Sequence, residues 1–165
     1  MEAVKLGLEP FQSVQGYFIA DHRTLHYIKL NRDLWDKASV ISKFGALGLN
    51  GHIPDMKLNE VQDRFHLDDV KQGIQQRDMN LFEILCSDLD FLKEARYVVS
   101  YLLCAHDPIF FPIWDTRRKR ICEWEARGEL ATYTDLKTRL DRCKSENECQ
   151  CVDYFMFNKL LWLCE

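Results

Sequence analysis

Glycine and proline are scarce in this chain of 165 residues, at seven and four. Many-turned β architectures, flexible linkers and low-complexity segments all draw on those residues, so the sequence disfavours them. No apolar run is long enough to span a bilayer; the richest stretch, Tyr97 to Ala105, falls far short. The first residues, Met1 to Gly7, lack the apolar segment of a signal peptide, so a soluble, cytoplasmic protein with no membrane partner is expected. No sign of charge dominates: the net charge is −4, which argues against a globally basic nucleic-acid coat and leaves room for a local basic patch. There is no glycine-rich phosphate loop and no G-x-S-x-G elbow, and no Cys–His pair has a recognisable local context. No internal repeat and no alternating strand pattern appears.

Seven cysteines are present, an odd number that fits reduced thiols better than a disulfide framework. The late ones, Cys143, Cys149, Cys151 and Cys164, are spaced C-x5-C-x-C-x12-C, which matches neither a zinc ribbon nor the usual iron–sulfur runs. Cys86, Cys104, Cys122 and Cys164 sit among apolar residues, where a thiol acts as a small hydrophobe. His22 and His26 have i, i+4 spacing, but His66, Asp63, Asp68 and Asp69 complete no known ligand pattern. No metal and no cofactor is expected.

The apolar spacing predicts an all-α fold of seven to nine helices in a single compact domain over residues 1–165, with residues 1–20 as an irregular arm. One helix is expected from Asn31 or Asp33, with Trp35 and Leu47 thickening its stripe, before Gly48 to Gly51 and Pro54 end it. Short helices follow over Asn59 to Phe65, from Asp68 or Asp69 to about Arg77, and from Asn80, the last burying Leu81, Ile84 and Leu85. Asp90 to Ala105 carries the widest stripe, with Phe91, Ala95, Val98, Leu102 and Ala105 on one face, and predicts a central helix stopped by Asp107-Pro108. A helix from Asp115 or Thr116 runs toward Gly128 as its C-terminal cap. Thr134 opens another with Leu136, Leu140 and Cys143, and Tyr154 to Leu163 forms the last. Trp35, Trp124 and Trp162 read as core anchors.

Chemistry points to the segment from Glu94 to Arg120. A buried helix leads into the apolar loop Pro108-Ile-Phe-Phe-Pro112, and the loop presents Asp115 at the start of the next helix. Backbone N–H groups and the helix dipole hold a carboxylate there. Arg117, Arg118, Lys119 and Arg120 follow. A fixed carboxylate beside basic side chains suits work on a nucleic acid: the anion orients water or stabilises a developing cation, while the cations hold phosphates. Aspartate is also among the commonest N-caps, and a basic run also serves as a solvated helix face, so both readings of this segment stand. Tyr97 and Trp114 can stack on a base. His106 can contact substrate, but its place at a helix end favours a capping role. From Asp115 to Lys144 the chain holds nine basic and six acidic residues, so any nucleic-acid face belongs to this third of the sequence.

Trp114-Asp115-Thr116-Arg117-Arg118-Lys119-Arg120 resembles the V-D-T-H-x-x-R element of helix-hairpin-helix DNA glycosylases, with Arg117 where histidine is usual. It is more similar still to a group of small bacterial proteins related to that superfamily. Their blocks match Arg96 with Ser100-Tyr101, the loop from His106 through Pro108-Ile-Phe-Phe-Pro-Ile-Trp-Asp115, and Asn158-Lys159-Leu160-Leu161-Trp162. Leu47-Gly-Leu-Asn-Gly51 is similar to a further element of that group. The resemblance implies a helical glycosylase-like core, with Asp115 as the catalytic carboxylate. It also implies Arg117, Arg118, Lys119 and Arg120 on phosphate and Tyr97, Trp114 and His106 around an extruded base.

Two departures temper the activity it implies. The glycosylase hairpin grips phosphate through glycine-rich backbone, whereas Phe91 to Ala95 holds no glycine and includes Glu94. Bifunctional members carry a Schiff-base lysine where Tyr97 stands here, so no lyase step is implied. The expectation is a protein that engages double-stranded DNA in the manner of a monofunctional N-glycosylase. The alternative is a non-catalytic helical module that reuses the fold to bind a protein partner.

Overall fold

A computed structural model describes residues 53–146 and 153–164. The expected N-terminal arm, the helix carrying Trp35, the Leu47–Gly51 element and the His22–His26 pair lie outside the described residues. Within them every regular element is helical: a 3-10 turn at Asp55–Lys57, then α1 (Leu58–Phe65), α2 (Asp68–Gln75), α3 (Asn80–Asp88), α4 (Ala95–His106), α5 (Lys119–Ala126), α6 (Tyr133–Glu146) and α7 (Tyr154–Cys164). The fold is all-α.

In α1, Val61 and Phe65 lie one turn apart and are buried. Arg64 ties three helices together, at 3.1 Å from Asp69 of α2 and 2.7 Å from Asp88 of α3. Asp68 and Asp69 occupy the first turn of α2 and do not cap it, because the capping position belongs to Leu67. Gly73 lets α2 approach α3, since a Cβ there would lie 3.0 Å from a Leu81 methyl. α2 stops before Arg77, whose φ of 53° places it in the left-handed region that ends helices. Asp78 Oδ1 then accepts the Asn80 backbone N–H at 2.9 Å, so Asp78, rather than Asn80, supplies the side-chain acceptor at the start of α3. The buried residues of α3 are Leu81, Phe82 and Leu85, whereas Ile84 is 48% exposed, which corrects its expected place in the core.

The central helix begins at Ala95, five residues later than the spacing predicts from Asp90. Residues 89–94 turn the chain between α3 and α4, and the Leu92 N–H donates to the Leu89 carbonyl at 3.0 Å. Leu89 and Leu92 are buried in that turn, so an apolar period runs through a corner and reads as helix. From Val98 to Ala105 α4 is buried on most of its circumference, and it packs closely against α3.

After α4 the loop 107–118 enters the core. Phe111, Ile113 and Trp114 are buried there. The Trp114 ring stacks on Phe82 at 5.7 Å, and Phe82 stacks on Tyr133 at 4.0 Å. The Tyr133 hydroxyl donates to the Pro112 carbonyl, which fixes the loop between α3 and α6.

α5 begins at Lys119, later than the expected Asp115 or Thr116, and its one buried residue is Ile121. Trp124 packs against the edge of the core, partly buried beneath the Arg139 guanidinium at 5.6 Å; Cys122 is exposed, unlike the buried Cys104. Gly128 does cap α5. Its φ is 70°, and the Glu129 N–H reaches back to the Trp124 carbonyl at 2.9 Å. A Cβ at Gly128 meets nothing within 4 Å. Gly128→Ala is therefore expected to cost about 1 kcal/mol through backbone strain alone, measurable by urea unfolding; unchanged stability would contradict the left-handed cap.

α6 starts one residue before Thr134, with Thr132 and Asp135 forming a capping box: the Asp135 N–H donates to Thr132 Oγ1 at 3.1 Å and the Thr132 N–H to Asp135 Oδ2 at 2.9 Å. The backbone N–H groups of Thr132 and Ala131, both donating to Oδ2, hold the Asp135 carboxyl below its usual range. Leu136, Leu140 and Cys143 form its buried stripe as the spacing predicts. The buried Asp153 accepts the Met156 N–H at 2.9 Å at the head of α7, and the Tyr154 N–H joins α7 to the loop through the Pro108 carbonyl at 2.8 Å.

Candidate functional site

Residues that the sequence separates meet at Trp114-Asp115. Ser100, fully buried on α4, donates to the Tyr97 carbonyl at 3.0 Å and accepts the Trp114 backbone N–H at 2.8 Å. This hydroxyl sets the height at which the loop leaves the core. Arg96, one turn earlier, holds its guanidinium 4.6 Å from the Trp114 ring. The Trp114 indole N–H donates to Glu125 Oε2 on α5 at 2.9 Å. Asn158 on α7 reaches Asp115 Oδ2 at 3.4 Å.

Asp115 is 2% exposed and does not head α5, whose N-cap position is Arg118. It closes a tight turn instead: Oδ1 accepts the Arg117 N–H at 3.0 Å, and its carbonyl accepts the Arg118 N–H at 2.9 Å. Both carboxylate oxygens are engaged. Arg117 Nε lies 2.9 Å from Oδ1 and its Nη2 3.3 Å from Oδ2, while Arg118 Nε stands 3.5 Å from Oδ2. Asp115 is thus an anion sunk beneath two guanidinium groups.

The basic run divides by direction. Arg117 is exposed and lies 4.3 Å above the Tyr97 ring, so one side chain spans Tyr97 and Asp115. Burial alone would weaken its charge, but the hydrogen bond to Asp115 and that carboxylate's negative charge raise its pKa. Arg118 is buried against Asp115. Lys119 is exposed at the start of α5. Arg120 turns toward α6, where its guanidinium donates to Cys143 Sγ.

A cleft of about 310 Å³ opens beside the carboxylate. Tyr97, Trp114, Asp115 and Arg117 line it, together with Lys93, Glu94, Arg96 and Glu125. It runs from the α3–α4 turn to the Asp115 turn. Burial, with the negative charge of Asp115 and Glu94 nearby, pushes the Tyr97 hydroxyl up to about 12, so it keeps its proton across physiological pH. Four of the eight residues singled out from sequence line this cleft. His106, the last residue of α4, Arg118, Lys119 and Arg120 do not. Glu125 carried no sequence signal, and Lys93 and Glu94 stood only in the stretch set against the glycosylase hairpin, where they departed from it. Arg96 and Asn158 stood in the matched blocks, which is the one hint of their place here. Among the described residues no group of His, Cys, Asp and Glu is arranged to hold a metal ion.

The chain matches no family model, no curated protein and no solved structure.

Proposed function

We propose that the chain binds double-stranded DNA and that its cleft takes a nucleotide unit displaced from the duplex, in the manner of a monofunctional N-glycosylase. The observation that carries this reading is one cleft between the α3–α4 turn and the loop from Trp114 to Arg117, with a buried carboxylate in its wall. A helix, a short turn, a second helix, a loop and an aspartate follow one another, the order that the resemblance implies. Tyr97 offers aromatic surface to a base, the buried Trp114 backs the cleft wall beneath Arg96, and Lys93, Arg96 and Arg117 offer positive charge to phosphate. When the glycosidic bond breaks, its electron pair leaves on the base and positive charge develops on the sugar. Asp115 opposes that charge as water adds, and the proton of water passes to the departing base or to solvent. Arg117 must leave Asp115 for a phosphate before the carboxylate can face the sugar. The free thiols of Cys86, Cys104, Cys122 and Cys143 suit a reducing, cytoplasmic setting.

A second reading, a non-catalytic module, is favoured by the engagement of both Asp115 oxygens by Arg117, Arg118 and Asn158. Fluorescence anisotropy separates the cases. A duplex with a tetrahydrofuran abasic-site analogue is expected to bind about tenfold tighter than the same duplex undamaged, a difference of about 1.4 kcal/mol. Arg117→Gln is expected to shrink that preference. Equal affinity for the two duplexes would contradict the cleft reading. Base release abolished by Asp115→Asn would assign turnover to the carboxylate, and preference without release would favour the non-catalytic module.

A further inference from the structure

Three cations and three rings alternate along another part of the molecule. The Arg77 guanidinium lies 5.3 Å from the Phe110 ring centre. Lys137 Nζ lies 4.6 Å from Phe110 and 4.9 Å from Tyr154. Lys144 Nζ lies 4.9 Å from Tyr154 and 5.8 Å from Phe157. The end of α2, the 107–118 loop, α6 and α7 each contribute, so the stripe exists only in the folded chain.

Two carboxylates answer the three cations: Asp107 pairs with Arg77 at 2.8 Å, and Asp141 stands 3.6 Å from Lys137. Among the described residues Lys144 has ring contacts and no ion pair. Lys137 is fixed, donating to the Phe110 carbonyl at 3.0 Å and to the Tyr154 hydroxyl at 2.8 Å. Burial lowers its pKa, opposed by Asp141 and with Lys144 and Arg77 adding to the fall. Arg77 keeps a long side chain at a left-handed backbone position where glycine is favoured, and that side chain anchors one end of the stripe. A cation on a ring face gives up little of its N–H donor capacity there, so Lys144 keeps donors for an anion.

We propose that Arg77 and Lys144, at the two ends of the stripe, bind phosphates of a nucleic-acid backbone, while Lys137, its donors held within the protein, adds positive charge between them. A row of like charges fits a polymer with one charge per repeat. Phe110 in the stripe and Asp115 in the cleft stand on one loop, five residues apart, so their backbones are at most about 18 Å from each other. That is about five steps of one strand at 3.4 Å each, close enough for one duplex to meet both. The choice of nucleic acid over another polyanion rests on the cleft reading; the anion contact does not.

The test is anisotropy of a short undamaged duplex across a series of salt concentrations. The wild type is expected to bind at low salt. Lys144→Gln is expected to weaken binding and lower the slope of log affinity against log salt by about one, and Lys144→Arg to restore it. Arg77→Gln together with Lys144→Gln is expected to lower the slope by about two. An unchanged slope in Lys144→Gln with native circular dichroism overturns the proposal. So does absence of wild-type binding, or binding confined to vesicles containing phosphatidylserine. Preference for the abasic duplex reads the cleft separately. If Lys144→Gln lowers the slope while the wild type shows no such preference, the stripe stands and the cleft reading falls.

Discussion

Asp115→Ala is expected to destabilise the chain by about 3–5 kcal/mol, the range for removing one partner of a buried ion pair. The Arg118 side chain is only 9% exposed and stands 3.5 Å from Asp115, so the substitution leaves a buried cation without that neighbour. The Arg117 backbone N–H, the Arg117 guanidinium and Asn158 lose an acceptor at the same moment. A role confined to closing the turn would cost about 1 kcal/mol, so the size of the effect tells the two apart. Asp115→Asn keeps an oxygen for the backbone donor and gives up the charge, and its loss should fall between these values. Urea unfolding at neutral pH measures both variants. A loss below about 1 kcal/mol for the alanine variant would mean that the guanidinium groups find water instead.

The other large effect belongs to Phe82. It is fully buried between Trp114 and Tyr133, with stacked rings on both sides. Phe82→Ala is expected to cost about 3–5 kcal/mol, through lost transfer energy and the cavity left behind. The cavity would also free the Trp114 ring from below while Arg96 still covers it. Tryptophan fluorescence should therefore shift as unfolding moves to lower urea. Phe82→Leu, which keeps more of the volume, should cost less. Equal losses for the two variants would show that ring stacking, and not volume, holds this part of the core.

The sequence announces some of this arrangement and conceals the rest for physical reasons. Leu136, Leu140 and Cys143 face the core because a solvent-exposed helix leaves a clear stripe. The glycine after α5 was legible because few other residues accept its φ of 70°. The start of α4 was not, because Leu89 and Leu92 bury in a turn and imitate helical spacing. The cleft was partly legible: Trp114 and Asp115 stand in a matched block, Tyr97 and Arg117 stand where the resemblance departs from its pattern, and all four meet in space. The inward turn of Arg118 was hidden, since four successive cations look alike until one is buried against a carboxylate. Glu125 and Asn158 come from α5 and α7, and no local pattern says that they reach Trp114 and Asp115. The cation–ring stripe was equally hidden, because its six members are scattered from residue 77 to residue 157.

The central claim is that a displaced nucleotide enters the cleft at Trp114, and the indole N–H signals of the four tryptophans report on it directly. The Trp114 N–H donates to Glu125, and both residues line the cleft. Nitrogen-15 indole spectra, with the Trp114 signal assigned through Trp114→Phe, should be recorded during titration with the abasic-analogue duplex. The account predicts a saturable shift of the Trp114 signal that the undamaged duplex does not reproduce. A Trp114 signal that stays fixed while anisotropy shows the abasic duplex bound would contradict it.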